Sequence, residues 1–411
     1  MVGKWRNITL GDFVALQRGH DLTEPERRLG RVPVMGSAGQ NGFHDTALAK
    51  GPGIVIGRSG ASFGQVHFSR QDYWPHNTGL YVTDFKGNDP LFAFYFLKAL
   101  DFDRFNSGSA QPSLNRNFIY PIPICVPKLA EQKAIAAVLG ALDDKIELNR
   151  RMNATLEAMA RALFQSWFVD FDPVRAKLDG RKPPGMDDAT AALFPEHLEH
   201  GGHGMLPHGW RHAAIDEVCA INAWTLSKDD DLETLEYVEI SEVSRGNIAN
   251  IATYTRGEEP SRARRRLLHG DTALSTVRPD RGSYFLALNP PENRLASTGF
   301  AVITPTKVPW SFIHAALTLP EVSDHLGQMA DGGAYPAVRP EIIGAMQVAL
   351  PNESMILEAF HRTCAPLFEQ AESNRTQSRT LATLRDTLLP KLLSGEVTTC
   401  LVGNQPNQDA V

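Results

Sequence analysis

Apolar residues recur in alternating steps of four and three along two long stretches of the chain. In the first stretch the positions are Ile135, Leu139, Leu142, Ile146, Asn149, Asn153, Leu156, Ala160 and Leu163. In the second they are Phe360, Cys364, Leu367, Ala371, Asn374, Ser378, Leu381, Arg385 and Leu388. This spacing places every member on one face of an α-helix, as in the seam of a coiled coil. The pattern predicts two long helices, each about 50 Å long at a rise of 1.5 Å per residue.

Polar side chains interrupt both seams at the same place. Asn149 and Asn374 hold matching positions, and Asn153 and Ser378 follow four residues later. A buried Asn on a seam lowers stability but fixes the register and the partner; the alternative is that these residues lie at the solvated edge of a loosely packed helix. We predict that the two helices pair with each other, antiparallel. The predicted pairing residues are Leu139, Leu142, Ile146, Asn149, Leu156, Cys364, Leu367, Asn374 and Leu381.

Short apolar runs separated by Gly, Pro and Asn make up much of the remaining chain. Gly53–Gly57 and residues 80–83 have the composition of strands bounded by turns. Residues 91–97 and 312–317 each predict a short buried helix. The sequence therefore indicates an α+β fold in which the sheets are irregular.

The chain also resembles itself with a period of a little over 200 residues. Residues 108–114 align with residues 332–338, and Arg58 aligns with Arg278. So long a period is too long for a solenoid and favours two copies of one unit, each a domain followed by a long helix. We expect a pseudo-twofold molecule in which the two antiparallel helices form a coiled-coil-like rod that joins two α/β domains.

The same patterns set the expected boundaries. They are 1–127 for the first domain, 128–169 for the first long helix, 170–209 for a central linker with one short helix near 189–194, 210–351 for the second domain, 352–395 for the second long helix, and 396–411 for a flexible C-terminal tail.

Composition narrows the class of protein. The 411 residues include 41 Lys and Arg against 47 Asp and Glu, a net charge of −6 that argues against a simple basic coat for nucleic acid. No apolar run is long enough to span a membrane, and no apolar stretch follows the first residues as in a secretory signal. The four cysteines are far apart, so we expect reduced thiols and a cytoplasmic protein.

Several segments are typical of one known family. They are Trp5 with Leu10-Gly11-Asp12, Trp210 with Ile215-Asp216-Glu217, and residues 51–60, 107–115, 127–135, 167–177 and 387–396. On these segments the chain resembles, over essentially its whole length, the DNA sequence specificity subunit of type I restriction-modification systems. One departure is residues 351–356, where the second long helix starts without the Glu-Gln pair found at 131–132.

The resemblance implies a non-catalytic subunit. In that family each globular half is a target-recognition domain that reads one half of a bipartite, asymmetric double-stranded DNA target, and the long helices set the distance between the halves. The family also implies partners: two methyltransferase subunits, which carry the S-adenosylmethionine site, and ATP-dependent restriction subunits that join them. No cofactor or metal is expected in this chain itself.

Candidate DNA-reading residues lie in Gly-rich loops and in an arginine-rich run. Arg, Gln and Asn are the usual readers of base edges, and Gly permits close backbone approach. The candidates are Arg58, Ser59, Gln111, Ser113, Asn115, Arg116, Arg256, Arg262, Arg264, Arg265, Arg266, Arg278, Arg281, Tyr335 and Arg339. Alternatives stay open, namely turn chemistry for the loops, and a solvated face or ion pairs with nearby acids for the run. Residues 1–128 carry a net charge of +4 and residues 210–351 one of −5.

Two other classes of function compete with this interpretation. Residues 289–292, Asn-Pro-Pro-Glu, are similar to a motif of adenine methyltransferases, but Glu replaces the aromatic residue and no Gly-rich loop for S-adenosylmethionine precedes it. A proline turn explains the motif better. A non-catalytic coiled-coil scaffold would share the helices but has no need of arginine-rich loops.

Overall fold

The computed structural model describes residues 5–106, 112–202, 204–333 and 335–398. The chain divides into two compact units, the first made of residues 1–147 and 378–411 and the second of residues 148–377. The tail residues 399–411, part of the predicted flexible segment, lie outside the described residues. Among the helices in the described ranges, none has both the length and the apolar character that a membrane span requires.

Antiparallel strands form the centre of the first unit. Its strands are β1 (Arg6–Thr9), β2 (Ala15–Arg18), β3 (Val32–Gly36), β4 (Gly39–His44), β5 (Gly53–Gly57), β6 (Val66–Ser69), β7 (Trp74–Pro75), β8 (Gly79–Asp84) and β9 (Pro123–Val126). The central sheet has the order β2-β8-β5-β6, and β3 lies between β4 and β7 in a second sheet. All of β5 is buried, as its continuous apolar run predicts. The strands expected at residues 53–57 and 80–83 are confirmed.

One buried helix packs on the central sheet of the first unit. The short helices are α1 (Leu10–Phe13), α2 (Pro90–Lys98) and α3 (Arg116–Ile119). Asp89 caps α2, because its carboxylate accepts the amide hydrogen of Phe92 at 2.9 Å. Phe92 and Phe96 pack against Phe13, with ring centroids 6.2 and 5.2 Å apart. This confirms the helix expected at residues 91–97.

The first long helix is α4 (Leu129–Phe164), and a π-helical turn, Gln165–Val169, continues it. In that turn the amide of Asp170 donates to the carbonyl of Gln165, five residues back, at 2.8 Å. The wider turn coincides with two consecutive buried aromatic residues, Trp167 and Phe168. The long helix expected over residues 128–169 is therefore helical throughout, but not α-helical to its end.

The segment that follows is more ordered than its Pro and Gly content suggests. It contains α5 (Asp172–Leu178), α6 (Asp188–Leu193) and a hairpin of β10 (Leu198–Gly201) and β11 (Gly204–Pro207). Helix α6 agrees with the helix expected near 189–194. Aromatic contacts stabilise the segment. The ring centroids of Phe194 and Trp167 lie 5.2 Å apart, and those of Phe171 and Trp210 lie 5.8 Å apart. The Pro and Gly residues thus separate short elements in a folded connection.

The second unit contains two four-stranded sheets. Its strands are β12 (Trp210–Ala214), β13 (Cys219–Ile221), β14 (Thr234–Val238), β15 (Val243–Ser244), β16 (Asn247–Ile248), β17 (Ala252–Thr255), β18 (Ala263–Arg266), β19 (Asp271–Ser275), β20 (Tyr284–Ala287), β21 (Arg294–Ser297), β22 (Phe300–Pro305) and β23 (Gln347–Pro351). One sheet has the order β13-β22-β19-β20, entirely antiparallel, and the other β17-β14-β21-β18. In the second sheet β14 and β21 run parallel.

Helices of the second unit cover one sheet and its loops. They are α7 (Ile215–Val218), α8 (Trp310–Leu317), α9 (Pro320–Gln328) and α10 (Pro340–Gly344). Helix α8 is buried from Ser311 onward, and its Phe312 lies 4.9 Å from the ring of Phe168. This confirms the helix expected at 312–317. Helix and sheet are thus combined in each unit, and the predicted α+β class holds.

The second long helix, α11 (Ser354–Ser394), contacts α4 within each unit. In the second unit Asn153 donates to the carbonyl of Ala371, and Asn149 donates to that of Asn374. Residue numbers fall along α4 as they rise along α11, so the two helices are antiparallel there. In the first unit Arg385 of α11 donates to the carboxylate of Asp143 at 2.6 Å.

Candidate nucleic-acid interface

A polar cleft of about 610 Å³ opens in the first unit beside the C-terminal end of β5. It is lined by Gln17, Arg18, Gly19, His20, Asp21, Arg58, Leu80, Ser113, Leu114, Asn115, Arg116 and Asn117. The cleft brings together Arg58, Ser113, Asn115 and Arg116 from the sequence-predicted set. Ser59 is the neighbour of Arg58 and forms a backbone bridge with Ser113. Gln111 lies outside the described residues.

Backbone hydrogen bonds hold the two loops of the cleft together. The amide of Leu114 donates to the carbonyl of Arg58 at 2.8 Å, and the amide of Arg58 donates to that of Thr78 at 2.9 Å. A Cβ on Gly57 would lie 1.9 Å from the carbonyl oxygen of Ser62, so only glycine allows this close approach. The loops are therefore fixed at their bases.

The predicted readers of the first unit differ in how free they are. The guanidinium of Arg116 donates to the carbonyl of Leu16 at 2.8 Å, and the side chain of Asn115 caps α3 by accepting from the amide of Asn117 at 3.0 Å. Both contacts are structural. Arg58 is half-buried and has no side-chain hydrogen bond or ion pair to any described residue, so its five N–H donors are available to a ligand.

Sequence reasoning missed part of this cleft. Gln17, Arg18 and His20 lie at and just beyond the end of β2 and line the cleft beside Arg58. Their only signal was a polar run directly after the buried Leu16, a pattern shared by many surface strands. They became candidates because β2 pairs with β8, which places them next to Leu80.

An arginine and an exposed tyrosine stack on each other in the second unit. The Cζ atom of Arg278 lies 4.8 Å from the centroid of the Tyr335 ring, and Tyr335 is 73% exposed. The amide of Arg278 donates to the carbonyl of Pro336 at 2.8 Å, which fixes the two loops to each other. A cation held over an exposed ring presents both a charge and a flat apolar face to a ligand.

Two further arginines lie on the same pair of loops. Arg281 is exposed in the turn after Arg278, and its amide donates to the Arg278 carbonyl at 3.0 Å. Arg339 is exposed one residue after Val338, whose amide donates to the carbonyl of Thr276 at 2.8 Å. The predicted set Arg278, Arg281, Tyr335 and Arg339 therefore lies around the end of β19.

Strand register corrects one expected correspondence between the two units. Gly57 pairs with Gly79 in the first unit as Ser275 pairs with Phe300 in the second. Arg58 therefore corresponds to Thr276, whose amide donates to the Gly299 carbonyl at 2.9 Å, and not to Arg278. Arg278, with a φ of 48°, holds the left-handed position that Gly60, with a φ of 80°, holds in the first unit. The alignment of Arg58 with Arg278 was wrong by two residues because it matched side chains rather than backbone positions.

Most of the arginine-rich run of the second unit has partners among nearby acids. Arg256 and Arg264 pair with Glu259 at 2.8 and 3.9 Å, and Arg266 pairs with Asp230 at 3.0 Å. The half-buried Arg265 has a buried Nε atom, and burial lowers its pKa. The contacts of Arg256, Arg264 and Arg266 favour the ion-pair alternative for these three arginines.

Arg262 differs from the rest of the run. Its side chain is exposed and has no carboxylate partner among the described residues. Its carbonyl accepts the amide hydrogen of Thr298 at 2.8 Å, and Thr298 precedes Gly299, the partner of Thr276. Arg262 is therefore the member of the run that the backbone places beside the loops of Arg278.

The Asn-Pro-Pro-Glu segment forms a turn between β20 and β21. The amide of Arg294 donates to the carbonyl of Pro291 at 3.0 Å, and Glu292 accepts from Arg266 at 3.1 Å. These contacts account for the segment as a proline turn with a surface ion pair.

Amide side chains form a hydrogen-bonded network between α4 and α11 in the second unit. Asn374 donates to the Oδ1 atom of Asn153 at 2.9 Å, and Asn149 donates to Gln377 at 2.9 Å. Asn149, Asn153 and Asn374 are buried. The interruption that the sequence shows in both seams is thus a polar layer between the paired helices.

The other predicted pairing residues are buried or half-buried, and their pairing across the two helices stays a prediction. Leu139 and Cys364 are fully buried, and the remaining ones are half-buried. The half-buried residues are Leu142, Ile146, Leu156, Leu367 and Leu381. In the first unit a hydrogen bond from the hydroxyl of Tyr95 to Asp143, at 2.6 Å, ties α2 to α4. Burial first, and this carboxylate second, raise the pKa of Tyr95.

Comparison with known proteins gives a consistent result. Residues 3–158 match the family model of the type I restriction modification DNA specificity domain. The chain is 25% identical over 337 residues to the specificity subunit of the type I restriction enzyme HindI of Haemophilus influenzae, covering 70% of this chain and 71% of that one. It is 22% identical over 297 residues to the MjaIX specificity subunit of Methanocaldococcus jannaschii, covering 71% of this chain and 64% of the relative.

A solved structure has the same fold. The S subunit of a type I restriction-modification system from M. genitalium superposes with a TM-score of 0.58 over 95% of this chain and 96% of that chain. The sequence identity is 17%, so this likeness concerns the fold alone.

Proposed function

We propose that this chain, which is similar to the specificity subunits of type I restriction-modification systems, is such a subunit and recognises a bipartite DNA target with one half-site per domain. Subunits of this family are non-catalytic, and their domain recognises DNA sequence. The observation that carries the proposal is a shared backbone framework with different side chains. The bond from Leu114 to Arg58 in the first unit recurs as the bond from Val338 to Thr276 in the second.

Different side chains on one framework favour an asymmetric target. The first cleft offers Gln17, His20 and Arg58, whereas the second pair of loops offers Arg278 and Tyr335. Arg reads guanine through two hydrogen bonds, and Gln reads adenine in the same way. Each half-site is therefore read by its own chemistry.

The two domains are, in this proposal, pseudo-repeats that the paired helices hold at a fixed distance. The antiparallel strand orders β2-β8-β5-β6 and β13-β22-β19-β20 support the repeat. The amide network supports a fixed register, since a shift of α11 along α4 would leave Asn149, Asn153 and Asn374 without hydrogen bonds in the interior. A fixed register implies one spacer length in the DNA.

Docking of methyltransferase subunits is the second part of the proposal. Helix α4 carries exposed apolar side chains at Leu148, Met152 and Met159, spaced by four and seven residues and therefore on one face. A partner helix of complementary apolar character would cover them. The partner supplies S-adenosylmethionine and the methyl transfer, and restriction subunits join the complex through it.

Mapping of methylated DNA tests the proposal directly. The chain is purified with its methyltransferase subunits and incubated with unmethylated genomic DNA and S-adenosylmethionine, and modified adenines are then located by single-molecule sequencing. We expect one motif of two unequal parts separated by a gap of constant length. A matched sample without this chain should show no such motif.

Other outcomes would contradict specific parts of the proposal. A continuous motif would show that the two domains do not read separate half-sites. Variable gap lengths would show that the helices do not fix the spacing. Methylation at the same motif without this chain would favour the alternative that the chain is a non-catalytic coiled-coil scaffold with no role in DNA recognition.

A further inference from the structure

A loop of the first unit, residues 27–31, holds a leucine entirely in solvent. Leu29 is 104% exposed, and Phe43 on the neighbouring β4 is 52% exposed. Single exposed apolar residues are common on protein surfaces, and by themselves they indicate nothing. The backbone around Leu29 makes this one unusual.

Hydrogen bonds fix the loop immediately before Leu29. The guanidinium of Arg27 donates to the carbonyl and the side-chain oxygen of Asn41 at 2.6 and 2.9 Å, and that of Arg28 donates twice to Asp45 at 2.6 and 3.1 Å. The amide of Arg28 donates to the ring of His44 at 3.1 Å. These bonds hold the loop against the hairpin of β3 and β4.

A glycine fixes the loop immediately after Leu29. A Cβ on Gly30 would lie 2.2 Å from the carbonyl oxygen of His44, so the chain passes too close to the hairpin for any other residue. Leu29 is therefore presented on a stiff support, and little conformational entropy would be lost when it meets a partner.

Ring contacts connect the loop to the DNA-reading cleft. The ring of His44 lies 5.1 Å from that of Trp74, and Trp74 lies 6.5 Å from His20, which lines the cleft. These contacts join the loop, through His44 and Trp74, to the wall of the cleft. In the proposal below, a duplex seated in the cleft extends over this loop.

The charge around Leu29 is suited to phosphate. Arg31 has no side-chain partner among the described residues, and Arg27 binds only the neutral Asn41. Two acids lie near the loop, and both have partners. Asp45 accepts hydrogen bonds from Arg28, which lower the pKa of Asp45 to about 2. Glu26 accepts hydrogen bonds from the amide and the hydroxyl of Thr23. Two cations therefore remain beside an exposed leucine.

We propose that residues 27–31 form a wedge against DNA, in which Leu29 enters a base step beside the half-site read by the first domain and Arg31 binds the adjacent phosphate. The inference rests on the proposed DNA-reading function. An apolar side chain that enters a base step partly unstacks it and bends the duplex. The chain would then prefer easily deformed steps, such as TA and CA, at a position where it makes no hydrogen bond to a base.

Fluorescence of 2-aminopurine tests the wedge, because this base brightens when it unstacks. The complex of the chain with its methyltransferase subunits is mixed with target duplexes that carry the probe at each flank of each half-site. We expect brightening at one flank, loss of that signal in Leu29→Ala, and roughly tenfold weaker binding by the variant. Leu48→Ala, at a leucine of the same domain that is 48% exposed, is the matched control and should bind like the unmodified chain.

A second duplex separates a wedge from a protein contact. A mismatch at the responsive step removes the need for unstacking, and so Leu29→Ala should regain most of its affinity on that duplex. Equal loss on both duplexes, weaker assembly with the methyltransferase subunits, or a variant that brightens and binds normally would each overturn the wedge. If the unmodified complex fails to distinguish target from random DNA, the proposed function fails and the wedge falls with it.

Discussion

At the scale of the residue, the fold places the candidate arginines in different surroundings, since some pair with a carboxylate and one stacks on an aromatic ring. The pairing of Arg266 with Asp230 joins residues 36 positions apart, which no local pattern in the sequence reveals. Arg278, in contrast, is held over the ring of Tyr335 at the end of β19. The sequence shows only that Arg266 and Arg278 are both cationic. The fold shows that the first forms an ion pair and the second stacks on an aromatic ring.

Replacement of Arg278 by Ala tests its use as a reader. We expect recognition of one half-site to weaken by about 1–3 kcal/mol, because a bidentate contact to guanine is worth that much in discrimination. Binding is measured on duplexes that carry a base change in one half-site or the other. Lys307→Ala is the control, since Lys307 is exposed beyond the far end of β22. An equal loss on every duplex would instead indicate a phosphate contact.

Asp271 makes the stability of the second unit depend on pH. Burial raises the pKa of this carboxyl to about 6, above its ordinary value of 3.8. Because the folded pKa is the higher one, ionisation opposes folding above pH 6, and stability increases as the pH falls from 7 towards 4. The difference is at most about 3 kcal/mol.

Urea unfolding of the whole chain at pH 7.5 and pH 5 measures this dependence. We expect Asp271→Asn to reduce the gain in the free energy of unfolding between the two pH values, since Asn keeps an oxygen for the Leu268 amide without a charge. The histidines that do not interact with Asp271 contribute equally to both proteins, so the difference between them reports Asp271 together with its coupling to His269. An identical pH dependence in the two would show that the carboxyl is neutral, or solvated, throughout this range.

At the scale of the element, the long helices were the most predictable feature. The seam pattern continues over many turns, so helices expected at 128–169 and 352–395 agree closely with Leu129–Phe164, its π-helical turn, and Ser354–Ser394. The segment between the first long helix and β12 was harder to predict. Its short elements are stabilised by contacts such as Phe194 with Trp167, which depend on tertiary packing.

The candidate site was predictable only in part. The sequence indicated the loops by their Gly, Arg and Asn residues. The same residue types also have structural roles, because Asn115 caps a helix and Arg116 donates to the carbonyl of Leu16. The correspondence between Arg58 and Thr276 needed strand register, because a two-residue shift in a loop leaves no trace in the sequence. Sequence thus locates the candidate loops better than it ranks the residues within them.

The amide layer between the long helices predicts non-additive energetics. Asn374→Leu alone should lower the free energy of unfolding by about 1–3 kcal/mol, since it leaves Asn153 without its partner in the interior. Combining it with Asn153→Leu should cost clearly less than the sum of the two single changes, because both members of the pair are then apolar.

A double-mutant cycle by chemical denaturation measures this coupling. Gln370→Leu serves as a comparison within the same helix, because Gln370 donates to Asn374 from the edge of the layer. Strictly additive effects of Asn153→Leu and Asn374→Leu would show that the two side chains act independently. They would then contribute nothing to the register of the helices.

At the scale of the whole molecule, net charge and local charge point in different directions. The chain carries −6 overall, yet residues 1–128 carry +4 and residues 210–351 carry −5. Non-specific affinity for DNA grows with the number of phosphates that cations neutralise, and it falls steeply with salt. An acidic chain with a few arginines in its loops should therefore select sequence without binding DNA tightly by itself.

Salt titration separates the two contributions. We expect weak binding by the isolated chain, with a shallow slope of log affinity against log salt, and a steeper slope once methyltransferase subunits add their own phosphate contacts. Within the complex, changing the half-site read by the more basic first domain should reduce the slope more than changing the other half-site. Fluorescence anisotropy between 50 and 200 mM salt measures the slope for the isolated chain, the slope for the complex, and the slope for the complex on DNA with a changed half-site. Tight, salt-sensitive binding of random DNA by the isolated chain would mean that its acidic surface does not limit phosphate contact, and that selection of sequence is not left to a few local side chains.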